Sequence, residues 1–112
     1  MSAYEHALLV DETSRKSRLD LAERMLDRCE GVVKLGNVLA LRSTPDAILC
    51  EVIDSTTAGH RCAEEFKVLI ENAARYLDES KLASHLPPRP VQWRVVADDG
   101  TDAVELWPGT RP

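Results

Sequence analysis

Aromatic side chains are scarce in this sequence: two Trp, two Tyr and one Phe among 112 residues. Surfaces that bind nucleic acid by base stacking need exposed aromatic rings beside basic groups. Acidic residues outnumber basic ones by nineteen to fourteen, and the resulting net charge of −5 repels phosphate backbones and anionic membranes. We therefore expect neither a nucleic-acid partner nor a membrane partner for this small acidic protein.

Cysteines and long hydrophobic runs are also few. Cys29, Cys50 and Cys62 form no CxxC pair, and an odd number of cysteines is typical neither of a disulfide framework nor of a zinc motif. No apolar run approaches the ~20 residues of a membrane span, and the N-terminus lacks a signal-peptide pattern. The sequence also lacks a Gly-rich phosphate loop and the GxSxG and HExxH motifs. We expect a cytoplasmic protein with reduced thiols and no bound metal or cofactor.

The rest of the composition is typical of a globular domain, with 44% hydrophobic and 29% charged residues. A chain of this length buries roughly two-thirds of its unfolded surface, which is enough for one core without metals or disulfides. We expect a single domain over 1–112, with flexible ends at 1–12 and 108–112. Within the first of these ends, residues 5–10 form either an extra strand or a helical lead-in.

Two helices are predicted from apolar residues at helical spacing. The first covers about 14–30, and Gly31 provides the positive φ that ends a helix. The second is capped within 55–57 and runs to about residue 85, because Pro87 and Pro88 forbid its continuation. The apolar positions are Leu19, Ala22, Met25, Leu26 and Cys29 in the first helix, and Cys62, Phe66, Leu69, Ile70, Ala73 and Leu77 in the second.

Each helix is followed by a predicted β-hairpin. The first hairpin spans 37–53 with its turn at 43–46, and the second spans 91–107 with its turn at 98–101, where an Asp-Gly pair favours a tight turn. The order helix-hairpin-helix-hairpin predicts an α+β fold. We expect a two-layer sandwich, in which two helices cover one face of an antiparallel sheet of four or five strands.

The expected register of the second hairpin follows from its turn. It places Val95 opposite Val104 and Arg94 opposite Glu105 as cross-strand pairs. The order of elements resembles that of roadblock-like domains and type III secretion chaperones, and this resemblance implies a small, dimeric, partner-binding protein without catalytic activity. An internal duplication with an offset of 56 residues is an open alternative, since Asp-Ala-Ile at 46–48 matches Asp-Ala-Val at 102–104.

Two apolar segments resemble strands of response-regulator receiver domains. Residues 7–12 are similar to the family's first strand with its acidic pair, and residues 45–51 are similar to the strand that ends at the phospho-acceptor aspartate. The resemblance implies that Asp11 and Glu12 form the acidic pair and that Glu51 occupies the acceptor position. Because glutamate cannot be phosphorylated in the family's way, the implied protein is a degenerate receiver-like signalling domain.

A basic cluster stands at the predicted start of the first helix, where cations oppose the helix dipole. Arg15, Lys16 and Arg18 form either a site for an acidic partner or a solvated surface. In the first case, phosphorylation of Ser14 or Ser17 would regulate the site.

A second group of candidate residues lies near the start of the second helix: Asp54, His60, Cys62 and Glu64. A thiol near a helix N-terminus can have a lowered pKa, and a histidine can act as its base. This group predicts a cleft of a small enzyme or ligand-binding protein. The alternative is a structural thiol, because Cys62 also belongs to the apolar stripe.

The leading hypothesis is a non-catalytic protein–protein interaction or regulatory module that forms a homodimer. Its basis is a sheet with apolar residues on both faces, of which the helices cover only one. Val96 and Trp107 are predicted to lie toward solvent on the uncovered face and to be buried between two copies of the chain.

Overall fold

Six strands, two α-helices and one 3₁₀ turn form the described part of the chain. The computed structural model describes residues 7–10, 15–54, 63–97 and 103–106, with the backbone alone at 54, 63, 66, 97 and 103–106. The elements in chain order are β1 (Leu8–Leu9), α1 (Arg15–Asp27), β2 (Val32–Leu35), β3 (Leu39–Ser43), β4 (Ile48–Asp54), α2 (Ala63–Glu79), the 3₁₀ turn (Leu82–His85), β5 (Val91–Ala97) and β6 (Ala103–Leu106).

All six strands belong to one sheet, in the order β1-β2-β3-β4-β5-β6. The pairs β1–β2 and β4–β5 are parallel, and a helix connects the strands of each pair; the other three pairs are antiparallel. Such crossovers are needed because parallel neighbours cannot be joined by a tight turn. The α+β class with two helices is confirmed, but the sheet is mixed, so the prediction of a purely antiparallel sheet is wrong.

The predicted order of elements missed β2 and left residues 5–10 open as a strand or a helix, of which the strand is observed as β1. β1 lies within the segment 1–12 for which a flexible end was expected, and β2 follows α1 directly, so three strands separate the helices. The order β-α-β-β therefore occurs twice, in β1–β3 and in β4–β6. In this repetition β6 corresponds to β3, whereas the 56-residue offset aligns β6 with β4, so the topology does not support that alignment.

Alternation along the strands divides the sheet residues between two faces. One face packs against both helices and forms the main core. Most of the predicted apolar stripe positions are confirmed as buried in this core, and Leu69 is partly buried against it, whereas Met25 and Cys29 are only partly buried and Cys29 lies beyond the end of α1. Cys62 and the side chain of Phe66 lie outside the described residues. The buried core residues are Leu19, Ala22 and Leu26 of α1, Ile70, Ala73 and Leu77 of α2, Leu82 of the 3₁₀ turn, and Val33, Leu35, Leu39, Leu41, Ile48, Cys50, Val52, Trp93 and Val95 of the sheet.

The helix α1 ends earlier than predicted, in a Schellman motif. The amide of Cys29 donates to the carbonyl of Leu26 at 3.2 Å, and the amide of Glu30 donates to that of Met25 at 2.8 Å. Cys29 has φ of 60°, so the left-handed position falls on a cysteine. Gly31 also has positive φ, as predicted, but it lies beyond the end of the helix.

The helix α2 also ends earlier than predicted. Lys81 adopts φ of 65° and separates α2 from the 3₁₀ turn, so the expected continuous helix to residue 85 is broken. Ser80 stabilises the break, because its hydroxyl donates to the carbonyl of Leu77 at 2.7 Å and accepts from the amide of Leu82 at 3.3 Å. The break turns the chain so that the 3₁₀ turn packs against α1.

The second hairpin, β5–β6, is shifted from its predicted register. Arg94 pairs with Leu106 rather than with Glu105, which pairs with Val95 instead. The ladder has an irregularity directly after Val95. Because an extra residue in one strand changes every pairing beyond it, both predicted cross-strand pairs are wrong. The predicted turn at 98–101 lies outside the described residues.

Candidate functional site

The sheet face opposite the helices carries three charged residues in contact: Arg42, Glu51 and Arg94. Ala40 of β3 and Arg94 of β5 are the register partners of Glu51 on β4. Arg42 lies two residues along β3 from Ala40 and therefore on the same face. Three adjacent strands thus bring the charged side chains together, and we call these three residues the Glu51 cluster.

Both oxygens of the Glu51 carboxylate accept hydrogen bonds from arginine. Arg42 Nε donates to Oε1 at 3.3 Å, and Arg94 Nε donates to Oε2 at 2.9 Å. Arg94 Nη2 donates to the same Oε2. The Glu51 side chain is 0% exposed, whereas those of Arg42 and Arg94 are 36% and 29% exposed. The carboxylate is therefore buried under two guanidiniums that still reach solvent.

The Glu51 cluster lies in apolar surroundings. A second hydrophobic cluster occupies the same sheet face, with Val32, Ala40, Ile53 and Val96 buried and Ala7 packed against it. A carboxylate in such surroundings needs positive partners and hydrogen bonds to remain ionised. Since two arginines surround one carboxylate, one positive charge is in excess within the cluster.

The arrangement of the two arginines suits the binding of an anion. A guanidinium carries five N–H donors in a planar fork and binds carboxylate or phosphate oxygens in pairs. Because Glu51 already fixes Arg42 and Arg94, less side-chain entropy is lost when a further anion binds. A guanidinium stays protonated in proteins, so these two residues offer charge and hydrogen bonds rather than a proton to transfer.

Cys50 precedes Glu51 on β4 and points to the opposite, helix-covered face. Burial, together with the negative charge of Glu51, raises the pKa of the Cys50 thiol to about 12. The thiol is therefore protonated near neutral pH and packs as a small hydrophobic side chain.

Two residues of the predicted basic cluster make structural contacts. Arg15 Nη2 donates to the carbonyl of Ser80 at 2.6 Å, directly after α2 ends, and Arg18 Nη1 donates to the carbonyl of Leu9 at 3.0 Å. A cation at a helix C-terminus is electrostatically favourable. Lys16 is exposed. The three cations thus lie in different surroundings and are not brought into one exposed site.

Of the two residues predicted to form the dimer contact, the structure describes only Val96. Val96 lies on the helix-free face, as predicted, but it is 1% exposed, so its predicted exposure to solvent is wrong. Ile53 on the same face is also buried. Trp107 lies outside the described residues.

The alternative site near the start of the second helix lies mostly outside the described residues. His60 and Cys62 are not described, and of Asp54 only the backbone is described, at the end of β4. Glu64 is exposed in the first turn of α2. The cleft predicted from these residues therefore stays a prediction.

The receiver-like arrangement is not compatible with the fold. Receiver domains have a doubly wound parallel sheet with helices on both faces, whereas here β3 and β4 are antiparallel and both described helices lie on one face. Glu51 also lies in the middle of β4 rather than at its end. Asp11 and Glu12 lie outside the described residues.

The sequence analysis missed Arg42 and Arg94 as partners of Glu51. Each of the three is a single charged residue among apolar neighbours in a strand, which indicates a buried ion pair. The prediction paired Arg94 with Glu105, and the parallel pairing of β4 with β5 joins residues 43 positions apart. The sequence of each strand therefore indicates an ion pair on the sheet, but it does not identify which charged residues are partners.

A second polar site lies where the 3₁₀ turn packs against α1. His85 Nδ1 is 2.9 Å from Glu23 Oε2, and Asp20 precedes Glu23 by one helical turn. One ligand-type atom from each of these residues lies within 4.8 Å of the others. A cleft of about 240 Å³ adjoins the group and is lined by Glu23 and His85 together with Asp27, Ser84 and Pro88.

Comparisons with protein-family models, with curated proteins and with solved structures find no match for this chain. Within the described ranges, neither α1 nor α2 has the length and apolar character that crossing a membrane requires.

Proposed function

We propose that this protein is a non-catalytic protein-interaction module that binds an acidic partner through the Glu51 cluster. The observation that carries the proposal is the pair of partly exposed guanidiniums fixed on one buried carboxylate, on the sheet face that neither described helix covers. Arginines held in this way recognise carboxylates with defined geometry and small entropic loss.

The charge distribution favours an acidic partner at the Glu51 cluster. The whole chain carries −5, so an acidic partner is repelled elsewhere and is oriented by the excess positive charge of the cluster. Two-fold pairing centred on the cluster would place the arginines of one copy against those of the other, so the homodimer predicted from Trp107 would have to leave the cluster outside its interface. A cytoplasmic location is part of the proposal, because Cys29 and Cys50 are free thiols.

A deca-glutamate peptide tests the acidic-partner proposal. Titration into the ¹⁵N-labelled protein should change the NMR shifts of the residues around the cluster, chiefly Arg42, Leu49, Gln92 and Arg94. Added salt should weaken the binding, because exposed charges are screened. Shift changes centred on α2, or none at all, would contradict the proposal.

A charge-matched pair of variants separates the cluster from overall charge. The variant Arg42→Gln/Glu51→Gln/Arg94→Gln removes two positive charges and one negative charge without leaving the carboxylate unpaired. Arg75→Gln, on the exposed surface of α2, changes the net charge by the same amount. We expect the triple variant to bind the peptide about tenfold more weakly and Arg75→Gln to bind it as the wild type does. Equal binding by the two variants would overturn the proposal.

A further inference from the structure

The group formed by Asp20, Glu23 and His85 combines residues from two elements. Asp20 and Glu23 are three residues apart on α1 and therefore lie on one face of the helix. His85 comes from the 3₁₀ turn, which packs against α1. Its imidazole is 25% exposed, whereas the Glu23 side chain is 55% exposed. One imidazole and two carboxylates thus lie close together beside a cleft that Glu23 and His85 line.

The segment around His85 is anchored on α1 independently of this group. Arg89 Nη1 donates to the carbonyl of Leu26 at 3.1 Å, and its Nη2 donates to the carbonyl of Asp27 at 3.0 Å. Leu82, at the start of the 3₁₀ turn, is fully buried in the main core. The packing of this segment on α1 therefore holds the His85 imidazole near Glu23, in addition to the hydrogen bond between the two side chains.

The geometry and the charge of the group favour a cation. Two ligands of a tetrahedral Zn²⁺ at about 2.0–2.1 Å stand about 3.3 Å apart. His85 Nδ1 and Glu23 Oε2 form a hydrogen bond of 2.9 Å, and the three ligand atoms lie within 4.8 Å of one another, so a bound ion would replace this hydrogen bond with only small movements of the side chains. Like charges one turn apart on a helix repel each other, so a bound cation would also relieve the repulsion between Asp20 and Glu23.

We propose that Asp20, Glu23 and His85 bind a divalent transition-metal ion of the Zn²⁺ class between α1 and the 3₁₀ turn. Imidazole with carboxylates suits Zn²⁺, Co²⁺ or Ni²⁺, whereas Mg²⁺ and Ca²⁺ prefer oxygen ligands throughout. Three protein ligands leave at least one coordination position for water or for a small anion. The adjoining cleft has room for either. The site does not depend on the Glu51 cluster.

Calorimetry and cobalt spectroscopy test this site on the untagged chain under reducing conditions. Zn²⁺ should bind with one-to-one stoichiometry, and Mg²⁺ in excess should not displace it. Co²⁺ at the site should show visible bands of nitrogen and oxygen ligation without the thiolate charge-transfer band that cysteine ligands produce. A thiolate band, or a failure of Zn²⁺ to bind, would overturn the proposal.

Variants identify the ligands. We expect Asp20→Asn, Glu23→Gln and His85→Gln each to raise the Kd for Zn²⁺ by at least about tenfold.

Two control variants leave these three residues in place. Asp27→Asn removes a carboxylate from the same cleft, and His6→Gln/His60→Gln removes the other two histidines of the chain. Both controls should bind Zn²⁺ as the wild type does. If the controls weaken Zn²⁺ binding as much as the ligand variants do, the ion is attracted by the overall charge or binds at another site, and the assignment is wrong.

Discussion

At the scale of single residues, the Glu51 cluster shows how a buried charge depends on its partners. Taking a carboxylate and two guanidiniums out of water costs free energy that their mutual attraction offsets only when every oxygen is bonded. Such clusters are therefore a weak source of stability but a strong constraint on substitution. Here Arg42 holds one oxygen of Glu51 and Arg94 holds the other.

We predict that removing one arginine destabilises the protein more than removing all three charges. Arg94→Met leaves Oε2 of Glu51 without its arginine donors, and we expect a loss of about 2–3 kcal/mol in the free energy of unfolding. Arg42→Met/Glu51→Leu/Arg94→Met should unfold within about 1 kcal/mol of the wild type, or be more stable. Urea denaturation measures both, with Lys67→Met on exposed α2 as the control. A triple variant less stable than Arg94→Met would contradict this account.

The same residues show what the sequence could and could not predict about the site. Alternation along β5 is enough to place Arg94 on the face opposite Trp93 and Val95. Alternation does not identify its partner, because Glu105 is near in sequence whereas Glu51 is brought close only by the parallel pairing of β4 and β5. Which charges meet is a property of the tertiary fold, and a single strand pattern does not encode it.

At the scale of elements, the two arginines at the start of α1 join it to other parts of the fold. We predict that Arg15→Met destabilises the protein by about 1–2 kcal/mol, because it removes a charged donor from the carbonyls at the end of α2. Lys16→Met changes the same charge at an exposed position and should cost less than about 0.5 kcal/mol.

Hydrogen exchange locates the effect of Arg15→Met. The amides of the last turn of α2 should exchange faster in this variant than in the wild type, because a helix end without its partner frays. Equal exchange in the two proteins, or equal destabilisation by Lys16→Met, would show that the contact of Arg15 with Ser80 has no stabilising effect.

Helices were easier to predict than strands for a physical reason. The stripe of α2 repeats over four turns, and its described members, such as Ile70, Ala73 and Leu77, are buried as expected. By contrast β2 has only four residues, one of them Lys34, so its alternation is too short to indicate a strand even though Gly31 marks the end of the preceding helix. Its strand conformation depends on pairing with β1 and β3 on either side. Short strands are defined by their neighbours more than by their own residues.

At the scale of the whole molecule, the homodimer stays a prediction that now depends on Trp107. We expect light scattering at micromolar concentration to give a mass near twice 12.5 kDa, because a tryptophan at an interface buries a large apolar area. Trp107→Asp should return the mass to that of one chain, whereas Val68→Asp, an exposed position on α2, should not. A wild-type mass near 12.5 kDa would contradict the dimer.

The order of the six strands has a consequence for how the chain acquires its fold. Every strand is paired with the strand that precedes or follows it in the chain, so no strand waits for a distant segment before it finds a neighbour. During synthesis from the N-terminus, each new strand can add to an edge that already exists, and each crossover helix can cover the strands beside it. The three antiparallel pairings close short loops and favour rapid folding, whereas the parallel pairings β1–β2 and β4–β5 close over a helix and form more slowly. The strands can thus pair in the order in which they are synthesised, from the N-terminus to the C-terminus.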